Sequence, residues 1–171
     1  VFTANKRPLE ELIGVDLIYL NRTRGSLVML QYKMMNRGRV RQRDPNDPDD
    51  DGYREWNVEI DDQFMKELRR MQSFDRDLES DGSYRMHSGA FFFKLVKRNA
   101  ATNSAGILLS LGHLEQLMRE GALQGPAGGM RISYDHLAGH YLRGEPFVEL
   151  IRSGYIGTRG ATTSHLEALI D

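Results

Sequence analysis

Two apolar runs, Val15–Leu20 and Ser26–Met35, flank the polar stretch Asn21 to Gly25. Their aliphatic and aromatic residues predict two strands joined as a hairpin, with Asn21 facing Ser26 and Arg22-Thr23-Arg24-Gly25 as the connection. Upstream, Pro8–Ile13 reads as a short helix that ends at Gly14. Asp61-Asp62 opens a longer helix that runs to about Leu78, with Phe64, Leu68 and Met71 on one face. Tyr84–Val96, built around Ala90-Phe91-Phe92-Phe93, and Gly106–Leu111 read as strands, and His113–Glu120 as a helix closed by Gly121. A Gly-rich linker covers 121–129; helices follow at Asp135–Leu142 and Pro146–Ser153, a short strand at Tyr155–Thr158 and a last helix at Ser164–Ile170. Residues 36–57 have no apolar period and read as a long loop. The order predicts a single domain over 1–171 of α/β class with a mixed β-sheet, its core in 1–111 and a mainly helical extension in 112–171.

Composition narrows this picture. A chain of 171 residues with 40% hydrophobic and 27% charged residues suits one soluble globular domain. The formal net charge of −1 conceals a basic run, Arg37-Gly38-Arg39-Val40-Arg41-Gln42-Arg43, followed directly by the acidic run 44–51. The absence of cysteine excludes disulfides, thiolate catalysis and Cys-based zinc sites, and fits a reducing, cytoplasmic setting. No apolar run reaches the ~18 residues of a membrane span, and no secretory signal is visible. A first residue of Val rather than Met fits a piece of a longer chain.

The hairpin carries the candidate chemistry. With Asn21 facing Ser26, Asp16 falls opposite Gln31, and Lys33 lies two residues on, toward the same face. A carboxylate and an amide carbonyl are hard oxygen donors suited to Mg²⁺ or Mn²⁺, and the Tyr32 backbone carbonyl lies between them. Lys33 could orient or deprotonate a water and stabilise charge on a phosphorane-like transition state. The same residues also read as a strand-end cap, a polar sheet rim and a snorkelling lysine.

"GVDLIY…LQYK", followed by an amphipathic helix and a strand, resembles the PD-(D/E)xK nuclease superfamily, in the variant with Gln that is similar to Mrr-type restriction nucleases. The resemblance spans about residues 8–98. It implies a restriction-endonuclease-like α/β fold, a mixed sheet flanked by helices with a helical C-terminal extension. It further implies Mg²⁺- or Mn²⁺-dependent hydrolysis of DNA phosphodiester bonds, in a role such as defence against foreign DNA. Asp16 matches the metal-binding acid, Gln31 the second ligand position, Lys33 the catalytic lysine, and Glu10 or Glu11 the acid of the first helix. Arg37, Arg39, Arg41 and Arg43 are the expected phosphate contacts, beside the alternative of a solvated surface loop. DNA is the expected partner, a membrane is not, and self-association into a homo-oligomer remains open.

The competing reading is a non-catalytic nucleic-acid-binding or protein-interaction module on the same fold. A third builds a zinc hydrolase on His136 and His140, spaced i and i+4, although no third ligand is evident. The glycines of 121–129 match neither a P-loop nor a dinucleotide fingerprint.

Overall fold

Leu27, Val28, Met29 and Leu30 are four consecutive buried residues, as a strand covered on both faces requires. In a computed structural model describing residues 2–3, 14–39, 46, 54–78, 82–98, 106–125 and 128–160, they belong to a central strand, β3 (Ser26–Arg39). β1 (Phe2–Thr3) and β2 (Leu17–Asn21) extend the sheet on one side of β3, both in antiparallel pairings. β5 (Phe91–Lys97) runs parallel to β3, and β6 (Ile107–Ser110) closes that side antiparallel to β5. The far end of β3 changes partner and pairs with β4 (Arg54–Glu59), which in turn pairs with β7 (Arg131–Ser133). Among the described residues these seven strands make one curled, mixed sheet.

Helices cover both faces. Side chains alternate along a strand, so Leu27 and Met29 share one face with Phe91, Phe93 and Leu95, while Val28, Leu30 and Phe92 share the other. The run of three phenylalanines is thus a strand buried from two sides. On the first face lies α1 (Asp62–Asp77), which buries Phe64, Leu68 and Met71, with the Phe64 ring stacked on Phe93 at 5.4 Å. Asp61 caps α1 by accepting the Phe64 N–H at 2.8 Å. α2 (Leu111–Arg119) joins this layer through Leu111, Leu114 and Leu117, and Gln72 Nε2 donates to Glu115 Oε1 at 2.8 Å across the two helices. α3 (Tyr134–Leu137) adds Leu137. On the second face α4 (Gly144–Ser153) packs Phe147 and Ile151 against Val28, Leu30 and Phe92.

The structure bears out the mixed α/β class, the hairpin register and the capped α1, and corrects several element boundaries. β3 continues to Arg39 and β4 occupies Arg54–Glu59, so part of 36–57 is sheet, and Arg37 and Arg39 stand on a strand rather than in a loop. The polar sequence there hides a strand whose pairing is supplied by β4. β7, which the sequence did not suggest, also enters the sheet, from within the mainly helical segment 112–171. The strand at Tyr84–Val96 contracts to Phe91–Lys97, and Tyr155–Thr158 contributes only a bridge between Ile156 and His87. The helices expected at 8–13 and 164–170, the side chains of Glu10, Glu11, Arg41 and Arg43, and the acidic run apart from Asn46 lie outside the described residues. No described helix is long and apolar enough to cross a membrane.

A buried arginine fastens the hairpin turn. The guanidinium of Arg85 donates to the carbonyls of Arg24 at 2.7 Å, Tyr84 at 3.0 Å and Thr158 at 3.0 Å. Leu27 and Thr158 meet in the same place through N–H donors in both directions, to Thr158 Oγ1 and to Leu27 O, each at 3.1 Å. A Cβ at Gly157 would stand 2.6 Å from Leu27 O, and its φ of 100° favours glycine, so the segment reaches β3 only with glycine there.

His87 lies beside this junction with its ring edge-on to Phe92 at 5.4 Å. Burial pushes its pKa below 6.5, against a smaller upward pull from Asp75. Above its ordinary value of 6.5 the imidazole is neutral whether folded or unfolded. As the pH falls into the window below that value, the unfolded chain takes up the proton first and stability drops. Thermal midpoints measured from about pH 8 down to about pH 5 should fall, and His87→Phe should flatten the fall. His113, lowered by burial and by His140, leaves a residual slope of the same sign. An equal slope in wild type and variant would remove His87 as the cause.

Candidate active site

The double-sided burial of β3 ends after Leu30. Gln31 and Lys33 are half-buried on the α1 face, while Tyr32 and Met34 are 37% and 46% exposed on the other. The observed pairs run from Asn21↔Ser26 to Leu17↔Leu30, the register read from the turn, and Asp16 lies one residue past the last of them, level with Leu30 to Tyr32. The regular ladder stops there. Asp16 N donates to Leu30 O at 3.0 Å, and Asp16 Oδ2 accepts the Tyr32 N–H at 2.7 Å. The carboxylate therefore takes the place of a backbone acceptor at the end of β2 and is pinned against β3 at Tyr32.

Gln31 presents an unequal pair of amide atoms. Its Nε2 donates to Tyr32 O at 3.3 Å, whereas its Oε1 is buried with no hydrogen-bond partner. Exchanging the two would set an oxygen against the Tyr32 carbonyl, so the contact itself fixes the orientation. A buried acceptor without a donor is costly in an apolar setting, and a cation or a water is the usual remedy.

Lys33 is not free. Its Nζ forms an ion pair with Glu67 Oε2 and sits 4.9 Å from the centre of the Phe64 ring. Each partner's side chain is 16% exposed. The other Glu67 oxygen accepts from Gln63 Nε2 at 3.1 Å, one helical turn earlier. Gly14 adopts φ +73°, and a Cβ there would lie 3.8 Å from Glu67 Cβ, so the chain enters β2 directly over this acid.

The structure thus gathers Asp16, Gln31, Tyr32 and Lys33 at one end of the hairpin and adds Glu67, which sequence reasoning missed. Its signal was modest: an acid three residues after Phe64, on the border of the apolar stripe of α1. Arg37 lies four residues beyond Lys33 on β3 and is exposed; Arg39 is on the same strand. Among the described residues no three His, Cys, Asp or Glu side chains converge as a metal-ligand group. An oxygen set made of the Asp16 carboxylate, Gln31 Oε1 and the Tyr32 carbonyl is of a different kind, and its unsatisfied Oε1 fits a hard divalent cation.

The histidine pair does not form. α3 stops at Leu137, and Ala138 and Gly139 turn left-handed with φ of 47° and 80°. His136 and His140 therefore do not share a helical face. His136 Nδ1 contacts Ser133 Oγ at 3.2 Å, and the neighbour that His140 acts on is His113. No protein-family model, curated protein or solved structure matches this chain.

Lys33→Met and Glu67→Leu should each lower the unfolding free energy by about 1–3 kcal/mol, because each leaves its partner's charge largely buried and unpaired. The double variant should cost less than the sum, with a coupling of about 0.5–3 kcal/mol in urea unfolding. Strictly additive losses would mean that the pair does not hold in solution.

Proposed function

We propose that the chain is a metal-dependent nuclease that hydrolyses DNA phosphodiester bonds, with its centre at the open end of the β2–β3 hairpin. The observation that carries this reading is Gln31 Oε1, a buried acceptor without a donor, placed across the hairpin from the pinned Asp16 carboxylate and on the face of Lys33. The PD-(D/E)xK resemblance supports it, since that pattern asks for an acid, a ligand and a lysine at these positions, followed by a helix and a further strand. Here α1 and β5 follow, with β5 returning parallel to the catalytic strand.

Asp16, Gln31 and the Tyr32 carbonyl would hold Mg²⁺ or Mn²⁺. The ion, when bound, polarises a phosphate oxygen and acidifies water. The Tyr32 carbonyl has a second lone pair beyond the one taken by Gln31 Nε2, and Asp16 has a second oxygen beyond the one taken by Tyr32 N–H. Glu67 positions Lys33 and keeps its ammonium beside the site, where it stabilises the negative charge that gathers on a phosphate under attack. Glu10 or Glu11, which lie outside the described residues, would complete the set, as the resemblance implies.

A second reading keeps the fold and drops the chemistry: a non-catalytic nucleic-acid-binding module. The Lys33–Glu67 pair favours it, since a lysine neutralised by a neighbouring acid also serves as plain scaffold.

Incubation of the protein with plasmid and linear DNA in Mg²⁺, Mn²⁺ or EDTA separates the two. Cleavage should need the metal and fall by about 10²–10⁴-fold in Lys33→Ala, with DNA binding nearly unchanged. Asp16→Ala should also abolish cleavage, whereas Gln31→Glu should keep it and shift metal preference. Cleavage by Lys33→Ala at the wild-type rate would put the chemistry elsewhere.

The arginines make a separate expectation. Replacing Arg37, Arg39, Arg41 and Arg43 together should weaken DNA binding and flatten its salt dependence, by ~0.9 in the log–log slope for each phosphate no longer neutralised. An unchanged slope would remove these side chains from the interface.

A further inference from the structure

Beyond Lys33, the α1 face of β3 leads to a second cluster. Arg37 pairs across the ladder with Trp56, and the β4–β7 register that matches Asn57 with Ser133 brings Tyr134 next to Trp56. The Lys97 ammonium lies over both rings, 4.9 Å from the centre of Tyr134 and 5.7 Å from that of Trp56. Tyr141 meets Tyr134 edge-on at 5.8 Å, and the charge of Arg143 acts on the Tyr134 hydroxyl. All three rings remain partly exposed, and Arg37 and Arg143 are exposed. Among the described residues neither Arg37 nor Lys97 has a carboxylate partner. The rings pack against the main core on one side and keep part of their surface open. Partly exposed rings, interleaved with cations that have no carboxylate partner among the described residues, complement a polyanion that carries π faces.

We propose that Trp56 and Tyr134, with Lys97 and Arg37, form a platform on which the bases of a single-stranded nucleic acid stack. Arg37 stands four positions beyond Lys33 on β3, about 13 Å at the rise of an extended strand. A strand bound on the platform would thus run toward the proposed cleavage centre. That this strand is the substrate rests on the nuclease reading; the binding itself does not.

Trp56 is the only tryptophan of the chain, so its fluorescence reports on this surface alone. The test uses Lys33→Ala protein in EDTA, which cannot cleave, titrated with oligo(dT) and with a duplex of equal length. Oligo(dT) should quench the emission saturably and bind more tightly than duplex. Anisotropy of a labelled oligo(dT) should show Trp56→Leu and Tyr134→Leu weakened at least about fivefold. Trp56→Phe, which keeps a ring, should bind nearly as wild type. Circular dichroism checks the fold, and if Trp56→Leu does not fold, the loss expected of Arg37→Ala carries the test. No quenching at saturating oligo(dT), or unchanged binding by Tyr134→Leu and Arg37→Ala, would overturn the platform. Quenching by a wild type that cleaves nothing sinks the nuclease reading and leaves the platform standing; cleavage without quenching does the reverse.

Discussion

The structure depends on one constraint, the burial of β3 on both faces and its abrupt end. From Leu27 to Leu30 every side chain is removed from water, the odd positions by α1 and its neighbours and the even ones by α4. Such a strand has no solvated side on which to place chemistry. Polar groups can appear only where one of the covering layers runs out, and this happens at Gln31. The same sheet edge that closes the hydrophobic core therefore opens the candidate site. The backbone there is held by β5 in parallel register through Met35, so Gln31 and Lys33 project from a rigid element rather than a loop.

Electrostatics at that opening is arranged by local substitution. Asp16 replaces a ladder acceptor, so its carboxylate is fixed by the backbone of the strand opposite it. Gln31 contributes an uncharged amide, and the negative charge beside Lys33 comes from Glu67 on α1. The result is an acid, a buried amide oxygen without a hydrogen-bond donor, and a lysine whose charge is balanced by Glu67 on α1. At 16% exposure for both partners, that balance is kept where screening by water is weak. A lysine so placed tolerates burial because its counter-charge is nearby.

β3 then passes from one neighbour to another. Up to Met35 it pairs with β5, and from Asn36 it pairs with β4. Past this change the α1 face has a second, less covered stretch, where Arg37 on β3, Trp56 on β4 and Tyr134 at the start of α3 lie side by side. The proposed centre and Arg37 of the proposed platform share β3 and one face, so the spacing between them is set by backbone rise rather than by side-chain flexibility.

Local pattern alone determined the hairpin, its register and the amphipathic α1. Asn21 to Gly25 is turn chemistry, the alternating and double-sided apolar runs have the period of strands, and Phe64, Leu68 and Met71 have the period of a helix behind an Asp cap. From that register the opposition of Asp16 and Gln31 followed, because strand pairing is a matter of counting. Contacts between distant segments were beyond such counting. Glu67 is one of several acids on α1, and only the packing angle of that helix decides which of them reaches Lys33. β4 and the end of β3 are polar enough to read as loop, and became sheet because each supplied the other's hydrogen bonds. His136 and His140 have helical spacing on paper, but Ala138 and Gly139 turn the chain left-handed between them. Periodicity reports what a segment does with its own neighbours; the partner of a buried charge or an orphan carbonyl is settled only when segments far apart in the chain compete for the same space.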